Sequence, residues 1–290
     1  MSILITGYSG FTGRYIIQTA HKIGVKIQCL SADGTEHSDS IDLLDYCSVK
    51  EKIRELNPSS VIHLAAVSHV QHVPACDFYN INVGGTRNIL QALKDLDKGL
   101  INCVFASSAN VYGNSKKTVI DEKTPLNPTS DYGVSKKFME ELLNLWKPKI
   151  PITITRPFNY TGIGQGEEFL IPKIVKAFKT KQHKIELGNL DISRDFSDVR
   201  FIAKAYLTLA LQKTTFRVLN LCSGESISLK EIIEICSKIT NHQLEVKSNP
   251  LFMRRDEILT LRGNSNKMVD ELGYCSPFCI KDTLTWMLQN

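Results

Sequence analysis

The sequence has few of the features that mark membrane, secreted or nucleic-acid-binding proteins. No apolar run in its 290 residues approaches the roughly 18 residues that a membrane span needs. The start, MSILITGYSGF, lacks the charged n-region and small-residue cleavage site of a signal peptide. The net charge of +5 includes no dense Lys/Arg block, which argues against nucleic acid and suits an anionic small molecule. We therefore expect a cytoplasmic protein with neither a membrane nor a nucleic-acid partner.

Paired cysteines and metal-ligand clusters are also missing from the pattern. The eight cysteines are scattered, and several lie in apolar runs such as INCVF and IIEICSKI, which is typical of reduced core thiols. Cys275 and Cys279 are close together, but there is no second pair and no histidine cluster, so we expect no metal site. The chain is 42% hydrophobic and 22% charged, which argues against a disordered or fibrous protein.

What the sequence does contain is an alternation of short apolar runs and amphipathic segments. SILIT, KIQCL, SVIHLAA, NCVFASS, ITITRPF and RVLNLCS read as buried parallel strands, with helical spacing between them. This order predicts an α/β fold, a Rossmann-like doubly wound parallel sheet, with a smaller, mostly helical C-terminal substrate lobe. We predict one domain over residues 1–158 plus about 195–220, and a second, smaller lobe over about 159–194 plus 221–290.

A glycine loop follows the first predicted strand. Gly7, Gly10 and Gly13 would allow a tight turn and let backbone amides approach a pyrophosphate at a helix N-terminus. A glycine triplet alone is often only a turn, but its place in a βαβ pattern favours a dinucleotide. At the end of the second strand, Ser31 tolerates a phosphate and Arg14 could reach it. These residues favour NADPH over NADH, which stays an alternative.

A tyrosine and a lysine share one face of a predicted helix in YGVSK. The neighbouring lysine ammonium would favour the phenolate of Tyr132, so that the tyrosine could exchange protons near neutral pH. Ser107 and Ser108 end a strand upstream, where α/β sheets bind ligands. Such Tyr–Lys spacing is common by chance on exposed helices, but the glycine loop and the serines in the expected order favour Ser108, Tyr132 and Lys136 as a catalytic trio.

These motifs together resemble the extended short-chain dehydrogenases/reductases that modify nucleotide sugars. TGYSGFTG resembles the family's glycine loop, IDLLD its adenine-contacting segment, HLAA the wall beside the cofactor, and RPFN the segment touching nicotinamide and substrate. NVGGT carries the family's usual asparagine. The cofactor-binding candidates are Gly7, Ser9, Gly10, Phe11, Thr12, Gly13, Ser31, Asp42, Leu43, Leu64, Ala65, Ala66, Asn82, Ser107, Tyr132, Lys136, Pro157 and Phe158.

Two further stretches resemble enzymes that act on GDP-mannose derivatives. LGNLDISRDFSDV resembles a segment that lies along guanine and meets the diphosphate, and RRDEILTLRGNSNK resembles a diphosphate- and ribose-binding pattern. His69, with Ser68, either touches the sugar or packs within its own loop. The substrate-binding candidates are Ser68, His69, Ser108, Asn110, Asn159, Lys173, Leu187, Gly188, Asn189, Arg194, Arg254 and Glu257.

The residues after Ser108 decide between the reactions of this group. Dehydratases carry an Asp/Glu pair there, whereas this chain has Ala109 and Asn110, which do not transfer protons at neutral pH. The resemblance therefore implies reduction of the C4 ketone of a GDP-4-keto-6-deoxy sugar. GDP-rhamnose, its C4 epimer and a heptose product stay open, because Tyr160, Ile163 and Lys173 depart from the family's pattern. It also implies that the larger domain binds NAD(P) and that the smaller lobe binds the sugar nucleotide. A homodimer is implied too, formed through two helices that flank the sheet, one of which bears Tyr132 and Lys136.

Two other functions remain as alternatives. A nucleotide-sugar 4-epimerase uses the same trio but keeps its NAD tightly bound. A non-catalytic NAD(P) sensor on the same fold is a third reading, against which the complete trio of Ser108, Tyr132 and Lys136 argues.

Overall fold

The structure is a computed structural model that describes residues 2–30, 40–67, 74–96, 99–214, 216–249 and 260–290. Its strands are β1 Ser2–Thr6, β2 Lys26–Leu30, β3 Ser60–His63, β4 Asn102–Ala106, β5 Ile152–Pro157, β6 Asn159–Thr161, β7 Lys184–Leu187, β8 Ser193–Arg194, β9 Phe196–Asp198, β10 Phe216–Leu221, β11 Ile227–Ser228, β12 Glu245–Ser248 and β13 Thr260–Leu261. Its helices are α1 Phe11–Lys22, α2 Tyr46–Leu56, α3 Ala75–Tyr79, α4 Thr86–Lys94, α5 Asp131–Trp146, α6 Leu170–Lys179, α7 Val199–Leu211, α8 Leu229–Thr240, α9 Asn266–Leu272 and α10 Ile280–Gln289.

The chain divides into two compact units. Unit 1 contains residues 1–113, 125–157 and 203–219, and unit 2 contains residues 114–124, 158–202 and 220–290. Segment 114–124 is held in unit 2 by backbone pairing of Ile120 with Gly263 and by the Glu122 carboxylate, which accepts from the Asn220 amide. The division into a nucleotide domain and a sugar lobe, which is a statement about function, stays a prediction.

Unit 1 is built on a six-stranded sheet with the order β10-β5-β4-β3-β1-β2. The pairings among β5, β4, β3, β1 and β2 are all parallel. Every residue of β3, and all but the ends of β1, β4 and β5, is buried, so the sheet is covered on both faces. The predicted doubly wound parallel sheet is confirmed.

The strand order places a topological switch point between β1 and β3. From β1 the chain goes through α1 to β2 on one side, and from β2 it returns to β3 on the other side of β1. Open α/β sheets bind ligands at the carboxyl ends of the strands at such a point. The core beneath it is a cluster of aliphatic and aromatic side chains that includes Leu4, Val61, Leu90, Phe105 and Ile154.

Unit 2 combines helices with short strands. α6, α8 and α10 pack around a core that includes Ile174, Phe178, Ile232, Cys236 and Leu284. The strands form three small sheets, β6–β9, β7–β12 and β11–β8–β13, so this unit contains more β structure than the sequence pattern indicated.

Two local features were not visible in the sequence pattern. Residues Asn80–Gly85 form a π-helical turn between α3 and α4, a conformation that is common at functional sites. Ala109–Tyr112 form a 3₁₀ turn directly after β4. Within the described ranges, no helix combines the length and hydropathy that crossing a bilayer would require.

Candidate active site

The glycine loop lies at the switch point of the sheet. Gly7 directly follows β1 with φ of +70°, a left-handed conformation that favours glycine. A Cβ at Gly7 would lie 2.7 Å from the amide nitrogen of Ala65, and one at Gly13 would lie 2.5 Å from the backbone of Tyr8. The loop backbone therefore lies against the segment that follows β3. A side chain at Gly7 would prevent this close approach.

The same loop opens α1 and leaves room for an anion. Gly10 is the N-cap of the helix and has no side chain to cover the first-turn amides. Ser9 and Gly10 are exposed, Phe11 is half-buried, and Thr12 is buried beneath them. Backbone amides at a helix N-terminus suit a pyrophosphate, so this cradle fits a dinucleotide.

The predicted adenine-contacting segment is pinned by α4. The side-chain amide of Asn88 donates to the carbonyl oxygens of Leu43 at 2.8 Å and Leu44 at 3.2 Å. Leu43 is buried against Gly85, whereas Asp42 is exposed and its carboxylate accepts from the Leu44 amide at 2.9 Å. This arrangement presents the Asp42 side chain at the surface beside a buried leucine.

A buried hydrogen-bond chain fixes the ends of β1 and β3. Thr86 donates to the Asn82 carbonyl, so its oxygen accepts from Nε2 of His63, and Nδ1 of His63 accepts from Thr6. Burial, with a contribution from Lys136, lowers the pKa of His63 to about 3, and the imidazole is neutral. The Thr6 hydroxyl also accepts from the Ala65 amide at 3.2 Å.

Asn82 connects the segment after β3 with α5. Its carboxamide is fully buried, accepts from the Val67 amide at 2.9 Å and donates to the Ser135 hydroxyl at 3.0 Å. Ser135 in turn donates to the Tyr132 carbonyl. The predicted cofactor wall of Leu64, Ala65 and Ala66, all half-buried, is thereby tied to the helix turn that carries Tyr132. Direct binding of cofactor by Asn82 stays a prediction.

The predicted serine pair ends β4 and enters the 3₁₀ turn. The Ser108 hydroxyl caps this turn by accepting from the Asn110 amide at 3.2 Å, and Ser108 is 7% exposed. Ala109 is buried and Asn110 is exposed. The turn packs on the start of α5, because a Cβ at Gly133 would lie 2.8 Å from the Asn110 carbonyl oxygen. Gly133, which our sequence reasoning did not single out, permits this close approach.

Tyr132 and Lys136 occupy the first turns of α5. Ser130 caps the helix by accepting from the Gly133 amide at 3.2 Å. Nζ of Lys136 lies 6.0 Å from the centre of the Tyr132 ring and donates to the Ala106 carbonyl at 2.7 Å. Burial lowers the pKa of Lys136 to about 7, although the charge of Glu140 acts to raise it. The ring of Phe78 packs edge-on against Tyr132 at 6.2 Å.

A buried ion pair lies one helical turn beyond Lys136. Glu140 accepts from Nη2 of Arg156 at 2.6 Å and from Nε at 2.9 Å, and also from the Ser107 hydroxyl at 2.6 Å. Nη1 of Arg156 donates to the Tyr112 hydroxyl at 3.0 Å. Arg156 lies within the RPFN motif, but the sequence pattern indicated no role for Arg156 itself or for Glu140. The signal that could have found Glu140 is its helical spacing from Lys136.

The remaining described candidates belong to unit 2, except Pro157, which ends β5 in unit 1. Phe158 is buried, with its amide bonded to the Leu221 carbonyl, and Asn159 is exposed in β6. Lys173 on α6 donates to the Glu186 carbonyl at 2.9 Å.

The predicted guanine segment Leu187–Asn189 begins at the carboxyl end of β7. Leu187 is buried, its carbonyl accepts from the Asn249 amide, and the Gly188 carbonyl accepts from the Ser248 hydroxyl at 3.3 Å. The Asn189 side chain accepts from the Asp191 amide at 2.9 Å. The β7–β12 pair therefore shapes this segment.

Arg194 ends β8 and precedes a buried carboxylate. Arg194 is half-buried, and its guanidinium donates to the Ser193 carbonyl at 2.9 Å. Asp195 accepts from the amides of Ser223, Gly224 and Gly263 and from the Ser223 hydroxyl. Burial raises the pKa of Asp195, against the effect of these bonds. Asp195, which the sequence analysis did not assign, thus fixes the strand that carries Arg194.

Five predicted site residues lie outside the described ranges. They are Ser31, Ser68, His69, Arg254 and Glu257. Their assignments stay predictions from the sequence.

Comparisons with known proteins identify the family of the chain. The sequence model of the family described as GDP-mannose 4,6 dehydratase matches residues 4–287. A GDP-6-deoxy-D-talose 4-dehydrogenase from Aggregatibacter actinomycetemcomitans is 34% identical, over 94% of this chain and 92% of that protein. A GDP-6-deoxy-D-mannose reductase from Pseudomonas aeruginosa is 32% identical, over 99% of this chain and 96% of that protein.

Solved structures share the whole fold. The structure of RMD from Pseudomonas aeruginosa complexed with NADPH superposes with a TM-score of 0.87 at 30% identity, covering 99% of this chain and 96% of that one. A protein from Burkholderia cenocepacia J2315, described only provisionally as an epimerase, superposes with a TM-score of 0.94 at 37% identity. That match covers 99% of this chain and 97% of the other.

Proposed function

The chain belongs to the GDP-mannose 4,6 dehydratase family of extended short-chain dehydrogenases/reductases, and we propose that it is a reductase. It reduces the C4 ketone of a GDP-4-keto-6-deoxy sugar to the alcohol of a GDP-6-deoxy sugar, with NADPH or NADH as the hydride donor. The product is GDP-rhamnose, its C4 epimer GDP-6-deoxy-talose, or a heptose counterpart. The two curated relatives, a reductase and a dehydrogenase of GDP-6-deoxy sugars, support this reaction type.

One observation carries the choice of reduction over dehydration. Ser108 opens the 3₁₀ turn that packs on the first turn of α5, the helix that carries Tyr132 and Lys136, yet the residues after Ser108 are a buried alanine and an exposed asparagine. Dehydration needs an additional acid and base to remove water across C5 and C6. Neither Ala109 nor Asn110 can serve, whereas ketone reduction needs only one proton donor and one oxyanion stabiliser.

Each residue of the trio has a defined task. A reduced nicotinamide, when bound, supplies the hydride. Tyr132 donates its phenolic proton to the C4 oxygen, and Ser108 donates a hydrogen bond to the charge that builds there. The Lys136 ammonium stabilises the tyrosinate that remains, because an adjacent cation favours the charged form of a phenol.

The glycine loop and its neighbours hold the cofactor in this proposal. The amides at the start of α1 bind the pyrophosphate, and Asp42 and Leu43 flank the adenosine. The preference is for NADPH, supported by Ser31 and Arg14 in the sequence and by the NADPH-bound relative RMD.

A second set of residues holds the GDP part of the substrate in this proposal. Leu187, Gly188 and Asn189 lie along the guanine, and Arg194 and Arg254 bind the diphosphate through their planar guanidinium groups. Glu257 contacts ribose hydroxyls. Ser68, His69, Asn110, Asn159 and Lys173 are the remaining substrate candidates.

The proposal includes assembly and location. The protein is a cytoplasmic homodimer that uses the outer face of α5, where Phe138 and Leu145 are 51% and 74% exposed. Sedimentation should give twice the 32.6 kDa mass of one chain. A monomer at micromolar concentration would contradict the dimer, and recovery in a membrane fraction would contradict the location.

A 4-epimerase is the second candidate, because the similar Burkholderia cenocepacia protein is provisionally described as one. An epimerase returns the hydride to the same sugar and therefore keeps its NAD. Stoichiometric NAD that survives dialysis of the purified protein would favour this function over the reductase.

The deciding experiment is an assay with product analysis. Purified protein is mixed with GDP-4-keto-6-deoxy-mannose and either NADPH or NADH, and cofactor oxidation is followed by absorbance. We expect oxidation that depends on the keto sugar, and NMR of the product assigns its C4 configuration. Absence of oxidation with both cofactors, for both the hexose and the heptose substrate, would refute the reductase.

Arg194→Ala tests the substrate part separately. Losing a charge-assisted contact to a diphosphate should weaken GDP binding by about 10- to 100-fold, with kcat changed much less. Calorimetric titration with GDP measures the loss. Arg54→Ala, an exposed arginine on α2, is the matched control. An unchanged GDP affinity would show that Arg194 does not bind the diphosphate.

A further inference from the structure

Glu140, on α5, contacts the ends of two strands of unit 1 that carry catalytic or cofactor candidates. It projects from α5, four residues after Lys136 and eight after Tyr132. Its carboxylate accepts from the Ser107 hydroxyl at 2.6 Å, directly before Ser108. It also accepts charge-assisted hydrogen bonds from Nε and Nη2 of Arg156, the residue that directly precedes Pro157. One carboxylate therefore connects α5 with the ends of β4 and β5.

Lys136 and Glu140 act on adjacent residues of the same strand end. Lys136 holds the carbonyl of Ala106 at 2.7 Å, and Glu140 holds the hydroxyl of Ser107 at 2.6 Å. Two side chains one helical turn apart thus fix two consecutive residues, and the next residue is Ser108. The position of the Ser108 hydroxyl relative to Tyr132 depends on this double attachment.

We infer that Glu140 is a positioning residue for the proposed reduction: it holds the strand ends bearing Ser108 and Pro157 against α5, and it places a carboxylate one helical turn from Lys136. The inference rests on the proposed function for its activity readouts. Arg156 supplies the compensating cation, without which a carboxylate that is 3% exposed would be strongly disfavoured.

The protonation state of Lys136 depends on every polar or titratable group that faces it. On α5 these groups are Tyr132 and Glu140, and from β4 it meets the Ala106 carbonyl. From β3 it faces His63, which is neutral across the working range because burial lowers its pKa to about 3. Glu140 is the charged neighbour that opposes the effect of burial on the pKa of Lys136.

A purely structural ion pair makes a different prediction from a positioning residue. Buried ion pairs can often be replaced by apolar side chains of similar size without loss of stability. Glu140→Met with Arg156→Met therefore removes both charges while leaving the fold. If the pair is only structural, this double variant keeps its activity and pH profile. If Glu140 is a positioning residue, the variant folds but turns over poorly.

The experiment compares the wild type, the double variant, Ser107→Ala and Glu51→Gln, a surface control on α2. For the folded double variant we expect cofactor affinity within about threefold and kcat lower by about 10- to 100-fold, because small displacements of catalytic groups have effects of that size. Its alkaline limb of kcat/KM should move down by about one pH unit. Ser107→Ala should lower kcat without moving that limb, since the charge remains.

A second readout needs neither substrate nor cofactor. NMR titration of the Lys136 side chain, assigned with Lys136→Met, should give a midpoint near 7 in the wild type and a lower midpoint in the double variant. If this shift occurs but no GDP-4-keto sugar is reduced, the proposed function is wrong and the charge role of Glu140 stands.

The opposite result would overturn the inference. It is wrong if the wild type reduces the sugar and the folded double variant matches it in kcat, pH limb and Lys136 midpoint. Should the double variant fail to fold, Ser107→Ala decides: wild-type kcat in that variant would refute the attachment of the strand end.

Discussion

Two helices of unit 1, α2 and α5, each carry a tyrosine and a lysine at the same helical spacing, and the pair on α5 belongs to the candidate site. In α2, Nζ of Lys50 lies 5.8 Å from the centre of the Tyr46 ring, and in α5, Nζ of Lys136 lies 6.0 Å from that of Tyr132. In each pair the lysine follows the tyrosine by four residues. By sequence spacing and by the distance from Nζ to the ring centre, the two pairs are nearly indistinguishable.

Their surroundings differ completely. Lys50 is exposed and paired with Asp95 at 3.2 Å, and this contact raises its pKa. Lys136 is 3% exposed, bonded to the Ala106 carbonyl, and burial lowers its pKa to about 7. A lysine of the second kind can respond to charge on its tyrosine near neutral pH, whereas one of the first kind remains a solvated cation. Spacing alone therefore does not create a catalytic pair.

The largest expected difference between the two pairs is in turnover after removal of the phenol oxygen. Tyr132→Phe should lower kcat by a factor of about 10²–10⁴, because the proton donor is lost. Tyr46→Phe should leave kcat unchanged. Steady-state oxidation of NADPH with the keto sugar measures both variants, and calorimetry should find GDP binding intact in each. Equal activity of the two variants would remove the basis for assigning Tyr132.

Replacing the lysines should separate the pairs by a smaller factor. Lys136→Met should lower kcat by about 10²-fold, since the tyrosinate loses its stabilising cation. Lys50→Met should change neither kcat nor the thermal midpoint by a measurable amount, because exposed ion pairs contribute little. The assay is the same, with circular dichroism to confirm folding. If Lys136→Met turned over as fast as Lys50→Met, the ammonium would have no part in the reaction.

The smallest difference concerns the residue that follows each tyrosine. Gly133→Ala places a Cβ 2.8 Å from the Asn110 carbonyl oxygen and 2.9 Å from Cβ of Pro128, so the turn bearing Ser108 must move. We expect kcat to fall about tenfold and the free energy of unfolding to fall by about 1–3 kcal/mol. Cys47→Ala, at the matching exposed position in α2, should be neutral. Urea unfolding measures the stability, and an unchanged stability in Gly133→Ala would contradict this packing.

Much of the fold was predictable because its signals are local. Parallel strands covered on both faces read as continuous apolar runs, and each predicted central strand forms part of the sheet. The short strands of unit 2 were missed, since β8, β11 and β13 have two residues each and no periodicity to read.

The candidate site was predicted from residue type and spacing, which do not reveal where side chains meet across the sheet. Glu140 and Arg156 are separated by 16 residues and become partners because α5 packs beside adjacent β4 and β5. A side chain at position 133 is disfavoured because a turn from another segment passes within contact distance of Gly133.

Local order along the chain determined the alternating strands and helices, the glycine turn after β1 and the tyrosine–lysine spacing, because each depends on neighbours a few residues away. The tertiary structure alone decided which tyrosine–lysine pair is buried and which carboxylate balances it. Burial and the partners of a charge depend on which elements pack together, and residues distant in sequence set them.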